Sequence, residues 1–590
     1  MSDAMLHLAP WLLVLLTALL VVVLPRRIGH GLALVALGYV IGFSLFAPEG
    51  SVNATFIGFE VVPVLVDPFT RMLGAVFGFL GAMAVLYSYA SDASRVQTGF
   101  ALAYVGSTLG VCFVGDWLLL VFFYELMALT STLLIWHYGG RAVRRGFRYA
   151  LWHGIGGSLV LLAVMWHVAE TGTLAFDPSG LASGVAITVG VVGIGINLGF
   201  VGLHTWLPDA YPAPHIAASV FLSVFTTKSA VYVLYRALPD DGAGIVIAYM
   251  GGLMAVYGVV YALLQHDMRA LLSYHIMAQV GYMTAGVGIG TALAISGSMA
   301  HLFNNVLYKS LLFMAVGVII YRTGKEDLYE LGGLWHAMPI TAVTFGIGAL
   351  SISAFPGFNG FVSKSMVMDG ALYEGHEALW LLLLVGGLGT FLSFIKLGYY
   401  AFLHGQRTAT VRDATPGQAI AMVSISVLCV VFGLFPHWLL SIIPAVPADV
   451  STYTASNLAK GFGLAIAGVV GFWLVRKTLS GLGHIPDIER ITHPAGFALG
   501  RGGVLVVTES FGFIDRIVRN VVDALYRFGG APASGIDRIV TRLPAHPTLE
   551  ALAPRSHGDT TYHLRAGIGR SIWLLVVTTI IVFIVVARPI

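Results

Sequence analysis

Long apolar runs, separated by short polar connections, dominate the chain. A helix that crosses the hydrocarbon core of a bilayer needs about 20 apolar residues. By this criterion the pattern predicts sixteen membrane-spanning segments: 8–24, 31–47, 71–91, 97–115, 117–137, 147–169, 185–206, 215–237, 244–264, 271–290, 293–320, 338–368 (interrupted), 379–403, 417–441, 459–476 and 571–587. We therefore expect an all-α polytopic membrane protein.

One segment near the C-terminus has a different pattern. In VLVVTESFGFIDRIVRNVVDALYRF (504–528) apolar side chains recur every three or four residues, and the charged ones fall on other faces. This spacing predicts an amphipathic lateral helix along the membrane surface or along neighbouring helices. A small soluble cap is the alternative. Polar, proline-containing sequence joins this segment to the final span.

Composition and charge mainly exclude classes of protein and of site. Of 590 residues, 57% are hydrophobic and only 10% are charged, whereas soluble domains carry about 25% charged residues. The net charge of +3 gives no reason to expect nucleic-acid binding. Cys112 and Cys429 both lie in apolar runs and match no iron–sulfur or zinc spacing. The sequence thus predicts neither a cofactor nor a metal.

The basic residues favour one orientation. Lysine and arginine are concentrated in alternate loops such as GGRAVRRGFR (139–148), whereas the intervening loops are mainly acidic. Because basic loops stay in the cytoplasm, the bias predicts an N-terminus outside. We expect a multi-pass protein of a bacterial-type inner (plasma) membrane.

The spans suggest the following organisation. It consists of N-terminal helices (1–96), a first five-helix repeat (97–237), a second (244–403), additional helices (417–476), a cytoplasmic-side segment with the amphipathic helix (478–570) and a final transmembrane helix (571–590). Because each repeat has an odd number of spans, the second is expected to be inverted relative to the first.

Several spans carry charges that are expensive in lipid, about 2.5–3.5 kcal/mol each on insertion scales. Glu125 lies in VFFYELMALTS, Lys228 in FTTKSAVYVLYR, and Lys364 in ISAFPGFNGFVSKSM. MAHLFNNVLYKSLLFMAVG contains His301, Asn304, Asn305 and Lys309. His301, Asn305 and Lys309 are four residues apart and therefore share one helix face. We interpret these residues as a polar path through the bilayer, with purely structural hydrogen bonding as the alternative.

Two spans contain helix-breaking residues. GLHTWLPDAYPAPH has Pro208, and SAFPGFNGF has Pro356 and Gly357. Irregular backbone at membrane depth is tolerated only where it is buried in protein or lines a cavity. The sequence thus predicts two interrupted helices, one in each repeat.

Four motifs together resemble a known family. LHTWLPDAYP, HDMRALLSYHIMAQVGYM, HLFNNVLYKSLLFMAVG and FPGFNGFVSKS are similar to the antiporter-like subunits of respiratory complex I, membrane-bound hydrogenases and multisubunit Mrp-type cation/proton antiporters. The similarity covers about residues 60–440. FYELMALTS and TTKSAVYVLYR look most like the Mrp D-type subunit, whereas the tail resembles the long distal subunit of complex I or the large hydrogenase subunit.

The resemblance implies roles for the charged residues. Each repeat of the family forms a half-channel. By similarity, Glu125 is the first-repeat glutamate, Lys228 the connecting lysine and Lys309 the central lysine of the second repeat. His301 lines the path and Lys364 is the residue on its exit side. Asn197, His204, Asn304 and Asn305 are further candidates for lining it.

One position departs from the family. A lysine normally precedes the Leu-His pair of the LHTWLP stretch by six residues, but this chain has Asn197 there. Glu125 is thereby left without its usual partner. Asn305 likewise replaces a histidine of the family pattern.

The resemblance predicts a proton-translocating subunit of a Mrp-type monovalent cation/proton antiporter. Its expected partners are other membrane subunits, the lipid bilayer and protons, with sodium as a further candidate ion. One alternative is a proton-pumping subunit of a complex I-like NADH-quinone oxidoreductase or a membrane-bound hydrogenase. Another is a non-pumping coupling subunit, as in bicarbonate-accumulating complexes. Whether the chain belongs to an enzyme complex stays open at this point.

Overall fold

The computed structural model describes residues 8–177, 179–239, 244–405, 411–481, 485 and 487–529. Its helices are α1 (Pro10–Val23), α2 (Arg26–Phe46), α3 (Pro68–Ala90), α4 (Arg95–Phe113), α5 (Trp117–Trp136), α6 (Arg141–Thr171), α7 (Gly184–Leu198), α8 (Trp206–Ala210), α9 (Ile216–Leu222), α10 (Phe225–Ala237), α11 (Ile245–Leu264), α12 (Met268–Ile289), α13 (Ala292–Thr323), α14 (Pro339–Ile352), α15 (Asn359–Tyr373), α16 (Glu377–Gly398), α17 (Pro416–Leu434), α18 (Pro436–Leu440), α19 (Ala455–Gly481) and α20 (Glu489–Gly529). The predicted final span, 571–587, and the linker before it lie outside these residues.

The helical architecture confirms the prediction of a polytopic membrane protein. Within the described ranges, twelve helices are long and apolar enough to cross a membrane, and α1, α7 and α14 are shorter apolar helices. The total of sixteen spans stays a prediction. By composition α20 is among the twelve, although the sequence pattern favoured a surface helix. It belongs to a second compact unit, which among the residues after α19 begins at Glu489.

A β-hairpin departs from the all-α expectation. Strands β1 (Gly50–Phe56) and β2 (Phe59–Val66) pair with each other and are joined through Ile57 and Gly58, both at positive φ. The valine-rich β2 buries alternate residues near its end, as β-branched side chains on a pleated strand do. The hairpin, residues 50–66, is shorter than the apolar run of about 20 residues that predicts a span, so the sequence pattern did not reveal it.

Aspartates fix the starts of three long helices. The Asp67 carboxylate accepts a hydrogen bond from the Thr70 amide (2.8 Å) at the start of α3. Asp116 accepts from the Leu119 amide (2.8 Å) and from the Val62 amide (2.7 Å), so it caps α5 and also fastens it to β2. Asp267 caps α12 in the same manner. Each carboxylate satisfies amides that have no partner within the helix.

Ion pairs show which helix ends lie together. Arg26 of α2 pairs with Asp92 after α3 (3.5 Å), and Glu326 pairs with both Arg141 (2.7 Å) and Arg269 (2.6 Å). The arginine-rich loops therefore meet at one end of the bundle, which we call the basic face. The other end, the opposite face, is marked by the pairs Arg71–Glu49 and Arg236–Asp67.

Glycines bring two central helices unusually close. A Cβ added to Gly251 of α11 would lie 2.4 Å from the Gly281 carbonyl oxygen of α12, and one added to Gly281 would lie 2.4 Å from the Gly251 carbonyl oxygen. Small residues allow such backbone contact between helices in a membrane. Beside this pair, α13 is buried along nearly its whole length, so its polar side chains face protein and not lipid.

Candidate ion path

The polar residues of α13 form a buried line inside the bundle, and hydrogen bonds join part of it. The two ring nitrogens of His301 lie 3.0 Å from Ser363 Oγ of α15 and 3.3 Å from the Tyr308 hydroxyl. Asn305 Nδ2 donates to the same hydroxyl (3.1 Å). The four α13 residues His301, Asn304, Asn305 and Lys309 are all fully buried. The structure thus brings together the residues that the sequence placed on one helix.

Lys309 differs from every other member of this line. Its side chain is 0% exposed, and among the described residues its Nζ has no hydrogen-bond partner. Its nearest aromatic neighbours are Phe313 and Phe394, with Nζ 5.8 and 6.0 Å from the ring centroids. A buried ammonium normally needs several hydrogen-bond acceptors. Of the residues in this line, Lys309 is therefore the one with the least evident role in stabilising the fold.

Lys364 and Lys228 share a different arrangement. Lys364 Nζ donates to the carbonyl of Ile352, the last residue of α14 (2.9 Å). Lys228 Nζ donates to the Ser223 carbonyl at the end of α9 (2.9 Å) and to Thr227 Oγ1 (3.2 Å). The last carbonyls of a helix lack partners within it. Each lysine therefore binds a carbonyl freed by a helix break, and the break between α9 and α10 was not expected from the sequence.

The predicted breaks differ in detail. Pro356 and Gly357 lie between α14 and α15, and Gly357 has φ +95°. Pro208, by contrast, lies inside α8, and the break runs from Gly199 to Thr205 before it. This corrects the sequence assignment. The proline occupies the first turn of α8, where a missing N–H disrupts no helical hydrogen bond.

Glu125 faces outward from this chain. It is exposed on the surface of α5, and within the described residues it has no ion pair or hydrogen bond. Its Oε1 lies against α6, where a Cβ added to Gly157 would approach within 1.5 Å. Asn197, which is buried, lies at the neighbouring Gly156, 3.1 Å from the corresponding Cβ position. Glu125 and Asn197 thus border consecutive glycines of α6, and Lys228 bonds to neither.

The sequence pattern did not single out two titratable residues in the second half of the chain. Lys396 of α16 is buried, and its Nζ donates to the carbonyls of Leu263 and Gln265 (both 2.8 Å) near the basic face. His275 of α12 is also fully buried, and its ring centroid lies 4.8 Å from that of Phe394. Phe394 is therefore a neighbour of both His275 and Lys309. Both residues could have been found as charges within the apolar spans 271–290 and 379–403.

His204 has a partner that the sequence did not suggest. In the break before α8, its Nε2 lies 2.9 Å from a carboxylate oxygen of Asp487, a residue that follows α19. Tyr274 donates to the same carboxylate (2.6 Å), and so does Tyr257. Asp487 belongs to the connection between helices. Burial by itself would raise the pKa of this carboxyl, but the contacts with His204 and the two tyrosines outweigh it and lower the pKa to about 2.

These residues are of types that can hold and pass on a proton. Lysine, histidine and hydroxyl groups can exchange protons through hydrogen bonds, and buried ionisable groups in membranes mark such routes. In the part of the chain that the structure describes, no group of three His, Cys, Asp or Glu residues is placed to hold a metal ion.

Comparison with known proteins identifies relatives. The family described as "NADH:quinone oxidoreductase/Mrp antiporter, TM" matches residues 114–393. "NADH-quinone oxidoreductase subunit N" of Desulforudis audaxviator is 31% identical over 382 residues, which cover 60% of this chain and 75% of that protein. The D-type subunit of a Na(+)/H(+) antiporter from Bacillus subtilis is 27% identical, over 63% of this chain and 80% of that protein.

A solved structure has a similar fold over more of the chain. The membrane-bound sulfane sulfur reductase, an archaeal respiratory membrane complex, contains a chain with a TM-score of 0.71 and 23% identity, covering 97% of this chain and 99% of that one. At this level of identity the likeness concerns the fold alone.

Proposed function

Because the chain belongs to the NADH:quinone oxidoreductase/Mrp antiporter family of integral membrane subunits, we propose that it conducts protons within a multisubunit Mrp-type monovalent cation/proton antiporter. The observation that carries this proposal is Lys309, a fully buried lysine without a hydrogen-bond partner among the described residues. It lies within a line of polar side chains. A position of this kind has little value for stability and suits a group that gains and loses a proton.

The route that we propose runs through the second half of the chain. Protons enter near Lys396 at the basic face, reach Lys309 past His275, and continue along Asn305 and His301 to Lys364. The hydrogen bonds of His301 with Ser363 and Tyr308 support this order. Asn304 donates to the Asn359 carbonyl at the start of α15 (2.8 Å) and holds α13 against the break. We place the basic face in the cytoplasm and the N-terminus outside, in the inner (plasma) membrane of a bacterial-type cell.

The proposal includes two inverted repeats, 97–237 and 244–403. α5 and α12 each start at a capping aspartate that also forms an isolated β-bridge, Asp116 with Ala175 and Asp267 with Asp327. Asp116 binds β2, which leads to the opposite face, whereas Asp267 lies beside Arg269 at the basic face. Both helices then contain Tyr-x-x-Met-Ala, at 124–128 and 274–278. Similar helices that start at opposite ends are what inversion predicts.

Partner subunits are part of the proposal. An exposed carboxylate such as Glu125 is costly when it faces lipid, so a neighbouring subunit that covers α5 would remove this cost. The B. subtilis relative is itself named as a subunit. Sodium is the first candidate for the ion that is carried in exchange for protons.

A second candidate function is supported by the C-terminal part. The fold likeness to the archaeal respiratory complex extends over 97% of the chain and so is not confined to the antiporter-like repeats. This favours an energy-coupling subunit of a redox-driven complex, in which other subunits handle the electrons.

One experiment tests both candidates. The complex is purified from its native membranes, its subunits are identified, and everted vesicles are assayed with a pH-sensitive dye. For a Mrp-type antiporter, we expect added sodium to dissipate a pre-formed proton gradient in wild-type vesicles. We expect no such effect in Lys309→Ala vesicles that contain the same amount of complex. Co-purified iron–sulfur or flavin subunits would support the second candidate. Unchanged transport by Lys309→Ala would contradict the proposed route.

A further inference from the structure

We propose that Asp369, held by Lys460 and Asn457, is the site at which protons leave Lys364 for the aqueous phase at the opposite face. The proposal rests on the proposed function and adds a release site to it. No sequence motif pointed to these residues. They come from two helices, α15 and α19, and meet only in the folded chain.

The first observation is a small cavity beside Lys364. It has a volume of about 30 Å³ and is lined by Lys364, Tyr282, Ser353, Asn457 and Lys460, among others. A cavity of this size has room for at least one water molecule. Lys364 Nζ lies 4.4 Å from the centroid of the Tyr282 ring. The cavity therefore connects the end of the polar line with the N-terminal part of α19.

The second observation is an ion pair on the far side of this cavity. Lys460 Nζ lies 3.1 Å from Asp369 Oδ1, and Asn457 Nδ2 donates to Asp369 Oδ2 (2.8 Å). Both charged side chains are mostly buried, 17% and 16% exposed. Asn457 and Lys460, which both bind Asp369, also line the small cavity. A water there can therefore pass a proton from Lys364 toward the carboxylate.

The third observation is a larger cavity that begins at Asp369. It has a volume of about 330 Å³ and is lined by Asp369, Asp449, Ser451, Thr452 and other residues. Asp449 and Ser451 are exposed at the surface. The cavity thus has room for several water molecules and reaches the outside of the protein.

These features lie at the opposite face. The C-terminal half of α19 contacts residues near the basic face, since Arg476 donates to the Tyr399 hydroxyl and Tyr329 to the Leu479 carbonyl. The N-terminal end of α19, with Lys460, must then lie at the other end. Asp369 is five residues beyond Lys364 on α15, a rise of about 7.5 Å along the helix in this direction.

The proton transfer balances as follows. The Lys364 ammonium gives one proton to water in the small cavity, and the Asp369 carboxylate takes up one proton from it. Lys364 is left neutral until it is reloaded from the His301 side. Asp369 releases its proton into the larger cavity, and the nearby Lys460 ammonium favours this release because it stabilises the carboxylate anion.

The ion pair could instead only fasten α15 to α19, and variants of the pair separate the two roles. We expect Asp369→Asn to lower proton transport at least about tenfold, as loss of a proton-transfer group does, and Asp369→Glu to retain most of it. The double variant Asp369→Lys with Lys460→Asp restores the attraction but not the carboxylate at position 369. We expect it to assemble and to remain defective. Glu374→Gln, an exposed carboxylate at the end of α15, is the matched control and should transport normally.

Thiol labelling provides a measurement that does not depend on the ion pair. Cys112 and Cys429 are both buried, so a cysteine introduced by Ser451→Cys is the accessible thiol of the described bundle. A membrane-impermeant cationic methanethiosulfonate added from the outer side should label it and reduce transport, because it places a cation in the exit cavity. Complete labelling with unchanged transport would overturn the release site.

The outcomes distinguish this proposal from the proposed function. Transport by Asp369→Asn at the wild-type rate, or full recovery in the charge-reversed double variant, would overturn the release site while the Lys309→Ala defect stands. Absence of sodium- or redox-linked proton movement in wild-type vesicles would instead reject the proposed function itself.

Discussion

Lys309, whose amine has no hydrogen-bond partner among the described residues, gives the sharpest test, in which transport and stability are expected to respond in opposite ways. The perturbation is Lys309→Met, which keeps an unbranched side chain of similar length and removes the amine. If the lysine served the fold, its loss would weaken the protein. If it serves proton transfer, the protein should be at least as stable as before and inactive.

The magnitude follows from the surroundings of the amine. Removing an ion from water costs several kcal/mol after relaxation, and no hydrogen bond to a described residue offsets this cost for Lys309. The ring centroids of Phe313 and Phe394 lie 5.8 and 6.0 Å from Nζ. Their cation–π attraction offsets about 0.5–2 kcal/mol of the cost of burying the charge. We therefore expect the free energy of unfolding of Lys309→Met to equal the wild-type value or to exceed it by a few kcal/mol.

Lys396→Met is the matched comparison. This lysine is also buried, but its Nζ binds the carbonyls of Leu263 and Gln265. Removing it leaves two carbonyls unpaired, at about 1–3 kcal/mol for each that stays buried. The assay is thermal unfolding of the purified complex, followed by intrinsic fluorescence, with dye-detected transport in vesicles. Lys309→Met that is as unstable as Lys396→Met, or that transports normally, would refute the reasoning.

Three further predictions concern the rest of the bundle. Gly157→Ala should displace the Glu125 carboxylate, because the new Cβ would lie 1.5 Å from Oε1. Gly154→Ala is the control, since its new Cβ would meet nothing within 4 Å. Lower transport in Gly157→Ala alone would show that the position of Glu125 matters. Asn197→Lys should change the transport rate only if the first repeat conducts, and an unchanged rate in both this variant and Glu125→Gln would mean that the first repeat is structural. Asp487→Asn should weaken attachment of the segment after α19 by up to about 2 kcal/mol, the free energy that corresponds to lowering the pKa of Asp487 from 3.8 to about 2. Tryptic cleavage at Arg490 should therefore become faster in this variant, whereas Asp515→Asn should leave the cleavage rate unchanged. Because the Asp487 pKa is lowered in the folded protein, its stabilisation is present above about pH 3.8 and is lost as the pH falls through about 2.

Much of this protein follows from the sequence alone, because the relevant terms are local. Apolar runs of about 20 residues specify membrane helices wherever they occur, and a charge within such a run is costly regardless of its neighbours. Glu125, Lys228, Lys309 and Lys364 could therefore be named as candidates without any structure. The shared face of His301, Asn305 and Lys309 needed only the helical repeat.

The tertiary structure decided which of these charges meet and what they face. Helix rotation places Glu125 on the outer surface of α5 and leaves it beside Gly157, which no property of VFFYELMALTS reveals. The His204–Asp487 contact joins positions 283 residues apart, and Asp369 meets Lys460 across two helices. Such contacts depend on how closely helices approach and on which carbonyls a break leaves free. These are properties of packing, and packing is fixed only when the whole bundle has assembled.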